Sequence, residues 1–140
     1  MRYYSIILLV CLLTGCGKSP LFNKVTKSAG EISGNILLSE NFPMKNIEFS
    51  LNWKTPPSLE ELGVFEIELK EPLAPNLSIN AFIWMPEMGH GSSPIEVIKS
   101  SDLNYVFSEV AFIMPGLWVL HVEILENNKV VDKWQKSIVL

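Results

Sequence analysis

Between Met85 and His90 the chain sets two thioethers and an imidazole within six residues, in the run Trp84-Met85-Pro86-Glu87-Met88-Gly89-His90-Gly91. Thioether sulfur is a soft ligand matched to Cu(I), and imidazole is accepted by the same ion. Methionine also survives in compartments where thiols pair as disulfides. The glycines flanking His90 let the backbone turn sharply, and Pro86 stiffens the segment, so less entropy is lost when an ion is captured. Met114 precedes the Pro115-Gly116 pair; it would add a third sulfur if that turn lies beside the 85–91 loop. Packing offers a second account of the same residues. A Met at the end of an alternating strand closes the open mouth of a sandwich, and a His between glycines faces solvent. The chain has 2 His in all. His121 falls on the outward parity of its segment, with Val119 and Glu123, and reads as a surface residue rather than a fourth ligand.

The rest of the inventory narrows the chemistry. The 140 residues carry 11 Lys+Arg against 15 Asp+Glu, a formal charge of -4. That size fits one small domain, and no basic run interleaved with aromatics offers a footprint for nucleic acid. With so few His and Cys, a catalyst would depend on carboxylates or a metal. Glu60 and Glu61 are adjacent in a proline-flanked loop, and Glu66 and Glu68 share one outward strand face, where like charges imply solvation. Neither pair has the form of a glycosidase carboxylate pair. The chain is not expected to be an enzyme.

The N-terminus sets the compartment. Arg2 is followed by the apolar run Ile6 to Leu13, too short to span a bilayer and typical of a secretory signal. Leu13-Thr14-Gly15-Cys16 resembles the lipobox of bacterial lipoproteins, which implies cleavage after residue 15, lipid on Cys16 and a membrane-anchored, extracytoplasmic protein. Gly17 in place of an acidic residue matches the sorting pattern that implies the outer membrane facing the periplasm in a Gram-negative host. Removal of residues 1–15 takes away Arg2 and Cys11, leaving 10 Lys+Arg, 15 Asp+Glu and one cysteine, the anchor. No disulfide or zinc-thiolate site can then hold the fold. Residues 16–35 show no helical or strand period and read as a flexible tether, and 36–140 as the domain. Ile36 to Leu38 is expected to add an edge strand.

From Ile47 onward, apolar and polar residues alternate with a period of two. Ile47, Phe49, Leu51 and Trp53 mark one strand; Phe65, Ile67 and Leu69 a second; Leu77, Ile79, Ala81, Ile83 and Met85 a third. Ile95 and Val97 mark a short fourth, and Val106, Val110, Phe112 and Met114 a fifth. Trp118, Leu120, Val122 and Ile124 form a sixth, with Pro115-Gly116 as the turn before it. Asn127-Asn128 supplies another turn, and Val130, Trp134, Ile138 and Leu140 the inner face of a seventh. Ser58 could cap a single helical turn over 58–62, with Glu61 completing a capping box. The pattern predicts an all-β fold, an antiparallel Ig-like β-sandwich of about seven strands.

Two segments, WMPEMGHGSSP at 84–94 and YVFSEVAFIMPGLW at 105–118, resemble the YtkA-like/FixH-like group of bacterial extracytoplasmic proteins. The likeness covers Phe65 to Glu123. It implies a small Ig-like sandwich and links to copper handling, including assembly of cbb-type haem-copper oxidases and modules fused to metal-efflux adaptors. The matching positions are Met85, Pro86, Met88, Gly89, His90 and Gly91 in the loop, and Met114, Pro115, Gly116 and Trp118 in the turn. A lipobox stands where the FixH pattern has a transmembrane helix. Two functions follow as expectations: a lipoprotein binding or delivering Cu(I) through Met85, Met88, His90 and Met114, or a metal-free module that docks a membrane complex such as an oxidase-assembly or efflux system.

Overall fold

The computed structural model describes residues 38–140. The signal segment, Cys16, the tether and the first two residues of the expected edge strand lie outside the described residues. Alternation of apolar and polar side chains produces nine strands: β1 (Leu38–Phe42), β2 (Ile47–Thr55), β3 (Gly63–Leu69), β4 (Leu77–Met85), β5 (His90–Gly91), β6 (Glu96–Lys99), β7 (Asn104–Val110), β8 (Leu117–Glu126) and β9 (Lys129–Val139). All pairings are antiparallel, in one sheet of order β1-β2-β3-β7-β6 and a second of order β5-β4-β8-β9. Without β1 and β5, the remaining order is that of the seven-stranded immunoglobulin frame, four strands facing three. The all-β sandwich expected from the alternation is the observed fold. The two added strands are short and lie on sheet edges.

Inward parity gives the core its members. Phe49, Leu51, Phe65, Ile67, Leu69, Ile79, Ile83, Val110, Phe112, Trp118, Leu120, Val122 and Trp134 are all buried, and Ile47 is half-buried against them. Aromatic rings fill the middle: Phe65 stacks on Phe107 at 4.5 Å, and Phe112 meets Trp118 edge-on at 5.7 Å. Such pairs add about 0.5–1.5 kcal/mol beyond their burial.

Several local expectations fail, and bulges explain two of them. Phe65 faces Phe107 while Gly63 faces Val110, so β7 holds one extra residue there. Glu109 takes it up with a left-handed φ of 62°. The extra residue shifts the alternation, so Tyr105 and Phe107 point inward along with Val110, and Val106 does not. A second bulge at Val131 sets Val130 opposite outward-facing Leu125, leaving Val130 exposed and turning Asp132 inward. β7 also ends at Val110, before Phe112 and Met114, and lies in the other sheet from β8. Pro115-Gly116 therefore belongs to a crossover between sheets rather than to a hairpin. The 58–62 segment is not helical; the Ser58 hydroxyl only accepts a hydrogen bond from the Glu60 amide at 3.0 Å. Asn127 and Asn128, with φ of 51° and 62°, form the expected two-residue turn between β8 and β9.

Candidate functional site

The register places the ends of β2, β4, β7 and β9 and the starts of β3 and β8 at one end of the sandwich, the apex. Met85 is the last residue of β4 and pairs with His90 of β5. The four residues between them close a tight turn in which the amides of Met88 and Gly89 both donate to the Met85 carbonyl, at 3.2 and 3.0 Å. Gly89 closes it at φ 67°, a conformation costly for a side chain that carries Cβ. His90 is thus held in a short strand rather than free in a loop.

Three contacts bind this hairpin to the crossover and the start of β8. The Met85 methyl lies so close to Gly116 that a Cβ there would stand 2.5 Å from it. Ser92 donates its hydroxyl to the Ala111 carbonyl. The His90 ring meets Trp118 edge-on at 6.4 Å, and the Trp118 indole N–H donates to the Met114 carbonyl at 3.0 Å. The 85–91 segment and the 114–118 segment are therefore neighbours.

The four candidate donors differ in their surroundings. Met85 is buried in the core cluster, and Met114 is half-buried against it. Both thus also serve the packing role that the alternation suggested. Met88 is exposed at the tip of the turn, and His90 is half-buried. The His90 Nδ1 lies 3.0 Å from the Gly91 carbonyl oxygen. A carbonyl only accepts, so Nδ1 carries the proton in this contact, and Nε2 of the neutral ring keeps its lone pair. Metal-bound imidazoles are commonly oriented in this way, the second nitrogen donating to a carbonyl.

Among the described residues no group of three His, Cys, Asp or Glu gathers in a form that could hold a metal ion. The candidate donors at the apex are thioethers and one imidazole, a set suited by residue type to a soft monovalent ion and poor for Ca²⁺, Mg²⁺ or structural Zn²⁺.

His121 lies on the outer face of the second sheet, as expected, but it is not simply solvated. Its ring stacks on Phe82 at 4.5 Å with 8° between planes. Desolvation there holds its pKa below the ordinary imidazole value; Glu123 opposes that shift and Lys133 adds to it. Glu66 is engaged in a surface ion pair with Lys54 at 2.8 Å.

Three features escaped the reading of the sequence. Buried Asp132 accepts from the amides of Met44 at 2.9 Å and Lys45 at 2.6 Å, and of Lys133 at 2.8 Å, tying the β1–β2 turn to β9. An acidic residue on the apolar parity of 130–140 was the available signal. Tyr105 and Phe107 were hidden by the bulge.

The apex also gathers apolar surface. Of the nine large apolar side chains exposed among the described residues, Leu59, Leu62, Met88, Ile113 and Val139 all lie there. No family model, curated protein or solved structure matches this chain.

Proposed function

We propose that this chain is an extracytoplasmic lipoprotein, anchored through Cys16, that binds or delivers Cu(I) at the apex of its sandwich. His90 Nε2 and the sulfurs of Met85, Met88 and Met114 are the ligands. The observation that carries the reading is the His90 contact: Nδ1 is committed to the Gly91 carbonyl, leaving Nε2 for an ion in the same hairpin that bears Met85 and Met88 and abuts the Met114–Trp118 segment. The resemblance of both segments to YtkA-like/FixH-like proteins supports it, and by the same likeness the partner is a copper-handling or oxidase-assembly protein. Bound Cu(I) would supply cargo rather than catalysis, and we assign no enzymatic role.

The residues divide the work. Met85 packs in the core and Met114 against it, so ordering these two side chains would cost little on capture of an ion. Met88 is the solvent-exposed donor of the set.

The test is Cu(I) titration against a competing chelator, with Zn(II) as comparison. Met88→Leu keeps the volume and removes the sulfur, so it should weaken Cu(I) binding at a stability cost under about 1.5 kcal/mol. A Met85→Leu/Met88→Leu double variant that binds Cu(I) as tightly as wild type would refute the site.

A second reading is favoured by the exposed apolar residues at the apex: a metal-free module docking a membrane complex. The apex loops 56–62, 86–89 and 111–116 carry Glu60, Glu61 and Glu87 and no basic residue, so the partner face would be apolar with a basic rim. Absence of copper uptake by wild type, with loss of membrane-complex association in Leu62→Ser and Ile113→Ser variants, would favour it.

A further inference from the structure

At the side of the sandwich where β4 and β6 part, a cavity of about 340 Å³ opens between the sheets, in the size range of small-molecule sites. Part of its wall is apolar: Leu77 and Ile79 from β4, Val97 from β6, and Leu73 from the β3–β4 loop. Three polar side chains also line it: Ser78 of β4, and Lys99 and Tyr105, which face each other directly across the β6–β7 pair.

Tyr105 is the informative residue. It is only 7% exposed, yet its hydroxyl makes no hydrogen bond among the described residues, and no fully enclosed side-chain polar atom there lacks a partner. The hydroxyl therefore reaches solvent, and because Tyr105 lines the cavity it is available to a ligand there. Packing does not call for it: Phe107, the next inward residue on β7, is completely buried without one. A phenol at a core edge ordinarily finds a partner for its O–H, here either water or a ligand in the cavity.

Lys99 has an ordinary explanation by itself, since an inward-parity charge on an edge strand discourages pairing with other chains. Its ammonium also holds exposed Asp102 at 2.9 Å. An exposed ion pair of this kind is weak, and the ammonium has three donors, so it can serve a second acceptor.

We propose that this cavity binds a small amphipathic carboxylate, with its hydrocarbon end between Leu73, Leu77, Ile79 and Val97 and its carboxylate accepting from the Tyr105 hydroxyl and the Lys99 ammonium. This site is separate from the apex donors and does not depend on copper binding.

The test is a methyl NMR titration with octanoate, using the full chain in zwitterionic lipid nanodiscs and empty discs to account for partition into lipid. Saturable shifts are expected at the Leu77, Ile79 and Val97 methyls. Tyr105→Phe should weaken binding about tenfold, the loss of roughly one hydrogen bond to a charged group. Ala74→Trp, which fills the cavity from an exposed loop position and leaves the core residues intact, should abolish it. Octanol and octylammonium, with the same chain but no carboxylate, should bind about tenfold more weakly than octanoate. Absence of saturable shifts overturns the proposal. So does wild-type binding by Ala74→Trp or Tyr105→Phe, or equal binding of all three probes.

Discussion

The two histidines are held by different forces. His90 is oriented by a hydrogen bond to the Gly91 carbonyl, and His121 by an aromatic stack on Phe82. Stacking removes water from the His121 ring and penalises its charged form, with Lys133 adding to the penalty and Glu123 opposing it. Because the folded pKa lies below the ordinary value of about 6.5, the unfolded chain binds the proton first as pH falls. Stability from this group is thus intact above that value and declines as pH drops through it towards the lower folded pKa. Urea midpoints taken between neutral and mildly acidic pH should fall for wild type, and fall less for His121→Gln. Asp132 tests a different force. Its carboxylate satisfies three backbone amides, so Asp132→Ala leaves donors unpartnered and should cost about 1–3 kcal/mol in urea unfolding. Asp132→Asn retains an acceptor and should cost less.

At the scale of elements, the apex depends on how the β4–β5 hairpin seats on the crossover. Gly116 has a φ of 135°, and a Cβ there would strike the Met85 methyl. At Gly89, with φ 67°, a Cβ would meet nothing within 4 Å. Both Gly→Ala changes strain the backbone, by about 1–3 kcal/mol each. Only Gly116→Ala should also displace Met85. Chemical shifts of the Met85 methyl, compared between the two variants, check this: a shift as large in Gly89→Ala as in Gly116→Ala would show that the seating does not depend on that contact.

For the whole molecule, the sandwich divides its ends. The apex carries the candidate sulfur donors and five exposed apolar residues, whereas the opposite end carries the Asn127-Asn128 turn and the Asp132 clamp, with Met44 and Val130 exposed beside them. Under the proposed lipid anchoring, the domain stays near the membrane and its effective concentration rises for any partner embedded there. Cys16→Ser should release the protein from the membrane fraction or leave an uncleaved precursor. Mass spectrometry showing an unlipidated mature N-terminus at another residue would reject the anchor.

Strict alternation in the 47–53, 65–69, 77–85 and 118–124 segments determined both strand identity and inward faces, because burial on one side of a pleated strand leaves a period of two in the sequence. The Asn127-Asn128 turn was equally legible, since its left-handed angles suit Asn. Residue type alone marked Met85, Met88, His90 and Met114 as candidate donors. Tertiary structure alone decided where that alternation breaks. The bulges at Glu109 and Val131 reset the inward faces of β7 and β9, and an extra residue in one strand is defined only against its partner. Pairing across sheets likewise decided that 111–116 is a crossover, that Met85 rests on Gly116 and that Asp132 finds amides far away in sequence. These are relations between distant segments, whose geometry is fixed by packing rather than by local residue preference.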